Sequence, residues 1–569
     1  MGEKKKQKKV KVVYDVDNKM SKKRKGGSSA GLGKGNILSM VIFLVLIEAL
    51  FYYFVTPAIN IFTTGFWFWM LFTFIILWIM TFDLKKMVST TNGTFSGISS
   101  KASKPIGIIV IICLAVLVIG SIASSRMFNA SRYAGIINVT DGDFVTDMPE
   151  SENINNIALM DTDSARIIGD RAIGSLSNVV SQYEVSETYS TIDYNGVPMK
   201  VAPLEYAGII KYFNNKSEGI PGYVLVDPVK NEAKYVQLEK AIKYSPSACF
   251  NENLQRHVQL KYPTYNFNGF YFELDNEGNP YYICPTLSPN AGLFGAKDVS
   301  GVVICDPCTG DCEYMSLNEV PSWVDRVYDG DLACAKYDWY GMLSGGFINS
   351  IFGNKGCKVT TDDYGYLVMN DDVWVYTGVT SVNGDESNIG FVLMNSRTAE
   401  SKYFAIAGAE EYSAMSSAEG QVQNLGYTAS FPSLVNISGI PTYIMVLKDN
   451  AGLVKMYALV NVEKYNIVAT GSTQKDALTS YKKLLTENGI LDGNKSVSED
   501  MPSKKITVDD IKFINVENET FVYVTDTDGA VYKEAFAEDE TLIFIQPGDK
   551  ITVFYLEGEN GINTLIKYE

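Results

Sequence analysis

A chain of 569 residues with 46% apolar and 20% charged side chains has room for several domains. Its net charge of −16 argues against a nucleic-acid binder, because phosphate neutralisation needs clustered Lys/Arg. A single histidine, His257, is the sole candidate for a Ser-His-Asp or Cys-His pair.

Residues 1–36 hold twelve Lys/Arg against Glu3, Asp15 and Asp17, a net of +9 that predicts a disordered, basic cytoplasmic tail. Three apolar runs follow within residues 37–126: Ile37–Val55, Ile61–Met80 and Pro105–Ala123. Each is close to the ~20 residues that cross a bilayer, so three transmembrane helices are expected. The loop around Lys85 and Lys101 is positive and the loop around Pro57 is uncharged. The positive-inside rule then puts the N-terminus in the cytoplasm and everything after Arg126 outside. With +9 in the tail and +3 over residues 37–126, residues 127–569 carry −28. Glu48, near the middle of the first run, is a candidate intramembrane polar site, for helix packing or for assembly with other membrane subunits.

Residues 127–490 contain one short pattern four times. An apolar run ends in Asp or Asn, and a Tyr follows eight positions later: Asp227 and Tyr235, Asp306 and Tyr314, Asn395 and Tyr403, Asp449 and Tyr457. This pattern predicts a β-hairpin whose Asx side chain bonds the turn backbone and whose Tyr packs across the strands. Helices are expected over 161–176, 203–215, 417–426 and 473–485. The ectodomain is therefore α+β, built from repeated helix-plus-antiparallel-sheet modules. A polar linker (491–505) precedes alternating segments over 506–569 that predict a small OB- or SH3-like β-barrel.

Cysteines supply the main chemical question. Cys113 lies in the third apolar run; Cys249, Cys284, Cys305, Cys308, Cys312, Cys334 and Cys357 follow it. Three crowd the hairpin "CDPCTGDC", where Cys305 and Cys312 flank the turn on opposite strands. A Cys305–Cys312 disulfide is the leading expectation, with Cys308 left for Cys334 or Cys284. A Cys-x-x-Cys redox pair and a thiolate metal site are the rivals, although a zinc site would need a ligand from farther away. His257 is expected to be structural. No catalytic motif or cofactor loop is present in the sequence, and no catalytic, cofactor-binding or metal-ligating residue is assigned.

The stretch "ASFPSLVNISGIPTYIMVLKDNAGLVKMYALVNVEKYNIVATG" with its flanking helices resembles the PepSY-type, cystatin-like module of bacterial propeptides and envelope proteins. Residues 155–490 resemble an uncharacterised membrane-anchored family of Gram-positive anaerobes with such modules. The resemblance implies binding or inhibition of peptidases and envelope assembly, and brings no catalytic residues. The expectation is a multi-pass membrane protein with an extracytoplasmic binding or scaffold role towards a peptide, protein or wall component. The alternatives are an envelope enzyme (wall hydrolase or thiol oxidoreductase) and an accessory subunit of a transport or secretion complex.

Overall fold

The computed structural model describes residues 34–80, 103–151, 159–382, 387–491, 502–516, 519–536, 539–556 and 562–569. Most of the basic tail, the loop expected inside the cell after Met80 and most of the 491–505 linker lie outside these. The chain divides into two units, Met1–Val55 and Thr56–Glu569. The first contains helix α1 (Lys34–Val55), on which Glu48 is half-buried.

The second unit opens with α2 (Thr64–Met80) and α3 (Ser103–Ala123), which pack together. Among the described residues one helix, α3, is long and apolar enough to cross a membrane. The expectation of three such helices is corrected accordingly. Thr64–Ile79 is shorter than a span needs, and Ile42–Val55 is the apolar part of α1 whose side chains are described. Residues 61–63 sit in a turn, where Asn60 Oδ1 accepts from Phe62 N and Thr63 Oγ1 donates to Asn60 O. That turn touches the globular part, with Ile59 N donating to Pro263 O at 2.7 Å and Asn60 Nδ2 to Thr264 O at 2.9 Å. The C-terminal end of α3 is held as well. Ser124 Oγ accepts from Leu293 N (2.8 Å) and Phe294 N (2.9 Å), and the Tyr133 hydroxyl of α4 (Arg126–Ala134) donates to Ser124 O.

The globular part is a stack of four sheets, each containing one of the four Asx–Tyr hairpins. The first comprises Tyr183–Val185, Ser190–Tyr194, Val197–Tyr206, Ile220–Asp227 and Glu232–Ile242, with α5 (Thr162–Gly174) packed on it. The second comprises Tyr271–Leu274, Pro280–Ala291, Gly295–Cys305 and Cys312–Met315. Between these two sheets in the chain lies α6 (Leu254–Lys261), and after them α7 (Gly330–Leu343). The third sheet is centred on Asp372–Ser381, Gly390–Asn395 and Ser401–Phe404. The fourth, centred on Ile440–Lys448 and Val454–Asn461, carries α8 (Glu411–Gln421) and α9 (Gln474–Glu487).

Alternation along the strands builds the stack. Val303 and Cys305 face a core shared with the first sheet, while Val302 and Ile304 face one shared with Val375 and Met394 of the third. Phe391 and Leu393 turn the opposite way, onto Tyr443 and Met445 of the fourth sheet. Ile444 and Val446 then meet α9 through Tyr481 and Leu485. Strands covered on both faces read as unbroken apolar runs, as "VVIC" and "FVLM" do. Segments Ser503–Val516, Glu519–Asp526, Val531–Ala535, Lys550–Leu556 and Ile562–Tyr568 form a closed five-stranded barrel, joined to α9 by the Lys483–Glu534 ion pair at 2.9 Å.

Two local expectations need correction. Residues 203–206 belong to a strand, where Pro203 pairs with Tyr223, and the helix starts only at Ile209 after Gly208 at φ 98°. The third sheet is not wholly antiparallel, because Val139–Asp141 joins Ser401–Phe404 in parallel.

Candidate functional site

The four hairpins share a detailed plan. Asp227 Oδ1 accepts from Val229 N and Lys230 N, Asp306 Oδ1 from Cys308 N and Thr309 N, and Asn395 Oδ1 from Arg397 N and Thr398 N. Asp449 Oδ1 accepts from Ala451 N and Leu453 N. Tyr235, Tyr314, Tyr403 and Tyr457 pair with Val224, Val303, Val392 and Val446, each three residues before its Asx. A feature the sequence reading missed is a glycine five residues before the first three Asx positions. A Cβ on Gly222, Gly301 or Gly390 would come within 2.8, 2.6 and 2.6 Å of Cε2 of Tyr235, Tyr314 and Tyr403. The Tyr ring lies across the bare glycine on the neighbouring strand.

The Asp306 hairpin departs from this plan at one cross-strand pair. Val226 opposes Ala233 and Met394 opposes Ser401; in the second sheet Cys305 opposes Cys312. Asp306 N donates to Asp311 O at 2.8 Å, so the adjoining Cys305–Cys312 pair is a non-hydrogen-bonded one, where side chains approach most closely. The two sulfurs lie unbonded, 3.0 Å apart. Cys305 is fully buried between the first two sheets, whereas Cys312 is half-buried at their rim.

Helix α6 supplies the surroundings. Asn253 caps it by accepting from Arg256 N, and Leu254 and Val258 anchor it in the core. His257 and Lys261, four residues apart, share the face towards the hairpin tip. His257 Nε2 lies 2.7 Å from Gly310 O, and Lys261 Nζ donates to the same oxygen at 2.9 Å. The Tyr244 ring covers the imidazole with centroids 4.1 Å apart, and the Tyr262 hydroxyl donates to Cys312 O at 3.0 Å. One nitrogen of His257 and the sulfurs of Cys305 and Cys312 all lie within 4.8 Å of one another.

These neighbours make the two thiols unequal. Contact with the Cys305 thiol is the main cause holding Cys312 down to about 5; burial opposes it, and His257 and Lys261 add to it. Cys305 moves far up, through the same contact and its burial. The shared proton therefore belongs on Cys305: Lys261 lowers both thiols, but His257 bonds Cys312 and burial weighs more on Cys305. His257 is raised, chiefly by its hydrogen bond to Cys312. Cys308 differs from both. Its thiol donates to Lys240 O at 3.2 Å, and burial pushes it up to about 12.

The structure therefore brings together the two cysteines of the expected disulfide and adds His257, which sequence reasoning took as structural. The signal was out of reach in the chain, because 48 positions separate His257 from Cys305. The Cys305-x-x-Cys308 pairing is corrected: Asp306 turns the Cys308 sulfur towards Lys240. The chain matches no protein-family model, no curated protein and no solved structure, so the site is interpreted from its own geometry.

Proposed function

We propose that this is a membrane-anchored binding or scaffold protein of a bacterial cell envelope, with its sheet stack outside the cell. One observation carries the reading. The turn before α2 and the C-terminal end of α3 both rest on the globular part, and apolar surface surrounds that junction. On α3, Ile111 and Ile119 are 65% and 64% exposed, surface that lipid would cover. Just beyond it, α4 and α7 share a small core through Tyr133, Trp339 and Leu343. These segments and the turn that follows α7 leave Met127, Phe128, Ile348 and Phe352 bare, Phe352 to 82%. Apolar side chains beside a membrane helix suit the interfacial layer.

Under this reading α3 crosses the bilayer, the basic tail lies inside, and Glu48 serves helix packing. The four hairpin sheets are related modules of the PepSY-like kind, and the barrel is an OB- or SH3-like cap. The partner is a peptide, protein or wall component, and its chemistry is not nucleic acid. Membrane-impermeant maleimide labelling of intact cells tests the topology: Asp528→Cys should be labelled and Lys9→Cys protected. Photo-crosslinkers at Ile210 and at Asp528 test the role. Capture of an envelope protein or wall peptide from either supports it; capture solely through positions in α1–α3 overturns it.

A further inference from the structure

We propose that Cys312 and Cys305 form a thiol–disulfide exchange site, with Cys312 as the attacking sulfur, Cys305 as the resolving sulfur and a protein disulfide as co-reactant. Three structural features carry this. The two sulfurs are 3.0 Å apart on directly opposed residues, so a bond of roughly 2.05 Å forms with a small side-chain movement and no change of register. Cys312 is half-buried at the rim of the sheets, and Cys305 lies immediately behind it in the core. A basic side chain, Lys261, and an imidazole, His257, stand beside the open sulfur, the surroundings that favour a thiolate.

The same geometry decides against two other uses of these residues. Two thiolates on one tetrahedral zinc, at roughly 2.3 Å each, stand about 3.8 Å apart. Reaching that from 3.0 Å takes no more movement than disulfide closure, so the donor count decides: among the described residues the cluster offers three ligands, one short of a closed structural site. A purely structural bridge would gain nothing from the imidazole and ammonium. Both also hold Gly310 O at the turn tip, but only a reactive Cys312 uses an imidazole within reach of its sulfur.

The reaction balances with these groups alone. The Cys312 thiolate attacks one sulfur of a partner disulfide R–S–S–R′. The new bond is Cys312–S–S–R, the partner's S–S bond breaks, and R′S⁻ leaves. Imidazolium at His257 gives R′S⁻ its proton. With the Cys312 charge gone, the neutral imidazole takes the proton of Cys305. The Cys305 thiolate then attacks Cys312 Sγ and RS⁻ departs, protonated from His257 or water. Two thiols have lost two electrons and one partner disulfide has gained them. Run backwards, the same steps oxidise a partner dithiol, and the partner's own potential sets the direction.

The test uses the full chain in detergent, reduced, freed of reductant and mixed with the aromatic disulfide DTNB at pH 6. We expect a fast phase releasing about two thionitrobenzoate equivalents per chain, the product being a Cys305–Cys312 disulfide found by peptide mass mapping. Cys305→Ser should release about one equivalent and trap the mixed disulfide on Cys312. Cys312→Ser should abolish the fast phase, and Cys308→Ser should leave it intact. His257→Gln should slow it about tenfold. The wild-type protein gives a reading independent of how any cysteine variant folds. Its oxidised pair should be reopened by millimolar glutathione and closed again by glutathione disulfide. A fast phase lost with Cys308, a bridge that glutathione cannot open, or tight zinc uptake requiring His257, Cys305 and Cys312 together would each overturn the proposal.

Discussion

The Asp306 and Asn395 hairpins share one backbone plan and differ in what that plan is used for. Both place an Asx turn, a Val–Tyr pair and a glycine beneath the Tyr ring at the same offsets. The Asn395 hairpin is wrapped in packing. Asn395 is 2% exposed, and its Nδ2 donates to Asp372, which also holds Arg397 Nε at 2.7 Å. The Asp306 turn lies at the rim, with Thr309 and Asp311 exposed. The difference teaches where chemistry can be added. A cross-strand pair that the buried hairpin fills with Met394 and Ser401 is free, at the rim, to hold two sulfurs beside an imidazole.

The largest expected consequence is an unequal response to losing the Asx side chain. Asn395→Ala removes two turn acceptor contacts and strips a partner from the Asp372–Arg397 pair, so the third sheet should lose about 3 kcal/mol. Asp306→Ala removes solvent-accessible bonds and should cost about 1 kcal/mol. Hydrogen exchange of Gly390–Asn395 and Gly295–Cys305 measures each hairpin separately. Equal costs would mean that burial does not separate the two.

The glycines sharpen the same contrast at a smaller scale. A Cβ on Gly390 would sit 2.5 Å from the backbone oxygen of Phe404 as well as against Tyr403, whereas on Gly301 its nearest neighbours are Tyr314 atoms alone. Tyr314 is 36% exposed and can swing outward. Gly390→Ala should therefore destabilise by about 2 kcal/mol and Gly301→Ala by less than about 1 kcal/mol, by the same exchange measurement.

Much of this plan was legible in the chain, because Asx turns and cross-strand Tyr contacts are local and leave a fixed spacing of eight. The glycines in "GYVLVD", "GVVICD" and "GFVLMN" are equally legible, since a bare position beneath a cross-strand ring is a local requirement with its own fixed offset. The stacking order was not legible. In a strand such as Val302–Cys305 every side chain is apolar, so alternation says that both faces are covered without saying by which sheet. The site was half legible: the cysteine pair follows from the hairpin, but His257 reaches it only through the placement of α6, which the sequence pattern does not specify. The second span was overextended because Ile61–Thr63 continue an apolar run while their backbone is committed to the Asn60 turn.

If the cysteine pair is an addition to a packing position, replacing it with the residues of the Asp227 hairpin should spare the fold. Cys305→Val with Cys312→Ala reproduces Val226 and Ala233. The reduced double variant should unfold within about 1 kcal/mol of the parent, because the exchange is small and apolar. Thermal unfolding in detergent under reductant checks this. A larger loss would make the sulfurs part of the second sheet's packing.

Titration separates the two hairpins by the smallest margin and the most specific signature. Between about pH 5 and pH 6.5 the unfolded chain keeps a proton on both Cys312 and His257. In the folded protein Cys312 has lost its proton above about 5, while His257, raised by that thiolate, keeps its own. The unfolded state then binds one proton more, so the stability of the reduced protein rises with pH across this window. Above about 6.5 the unfolded imidazole gives up its proton while the folded one still holds it, and the gain levels off. Cys312 is partly open to water, which trims the expected gain to about 1 kcal/mol. Met394 and Ser401 titrate nowhere in this range, so the Asn395 hairpin offers no such slope. In the Cys305→Val, Cys312→Ala variant the rise from this pair should vanish, leaving a difference curve against the parent that climbs and then flattens near pH 6.5. A difference curve that is flat throughout would mean that Cys312 keeps its proton in the folded protein, and the asymmetry between the two sulfurs would go with it.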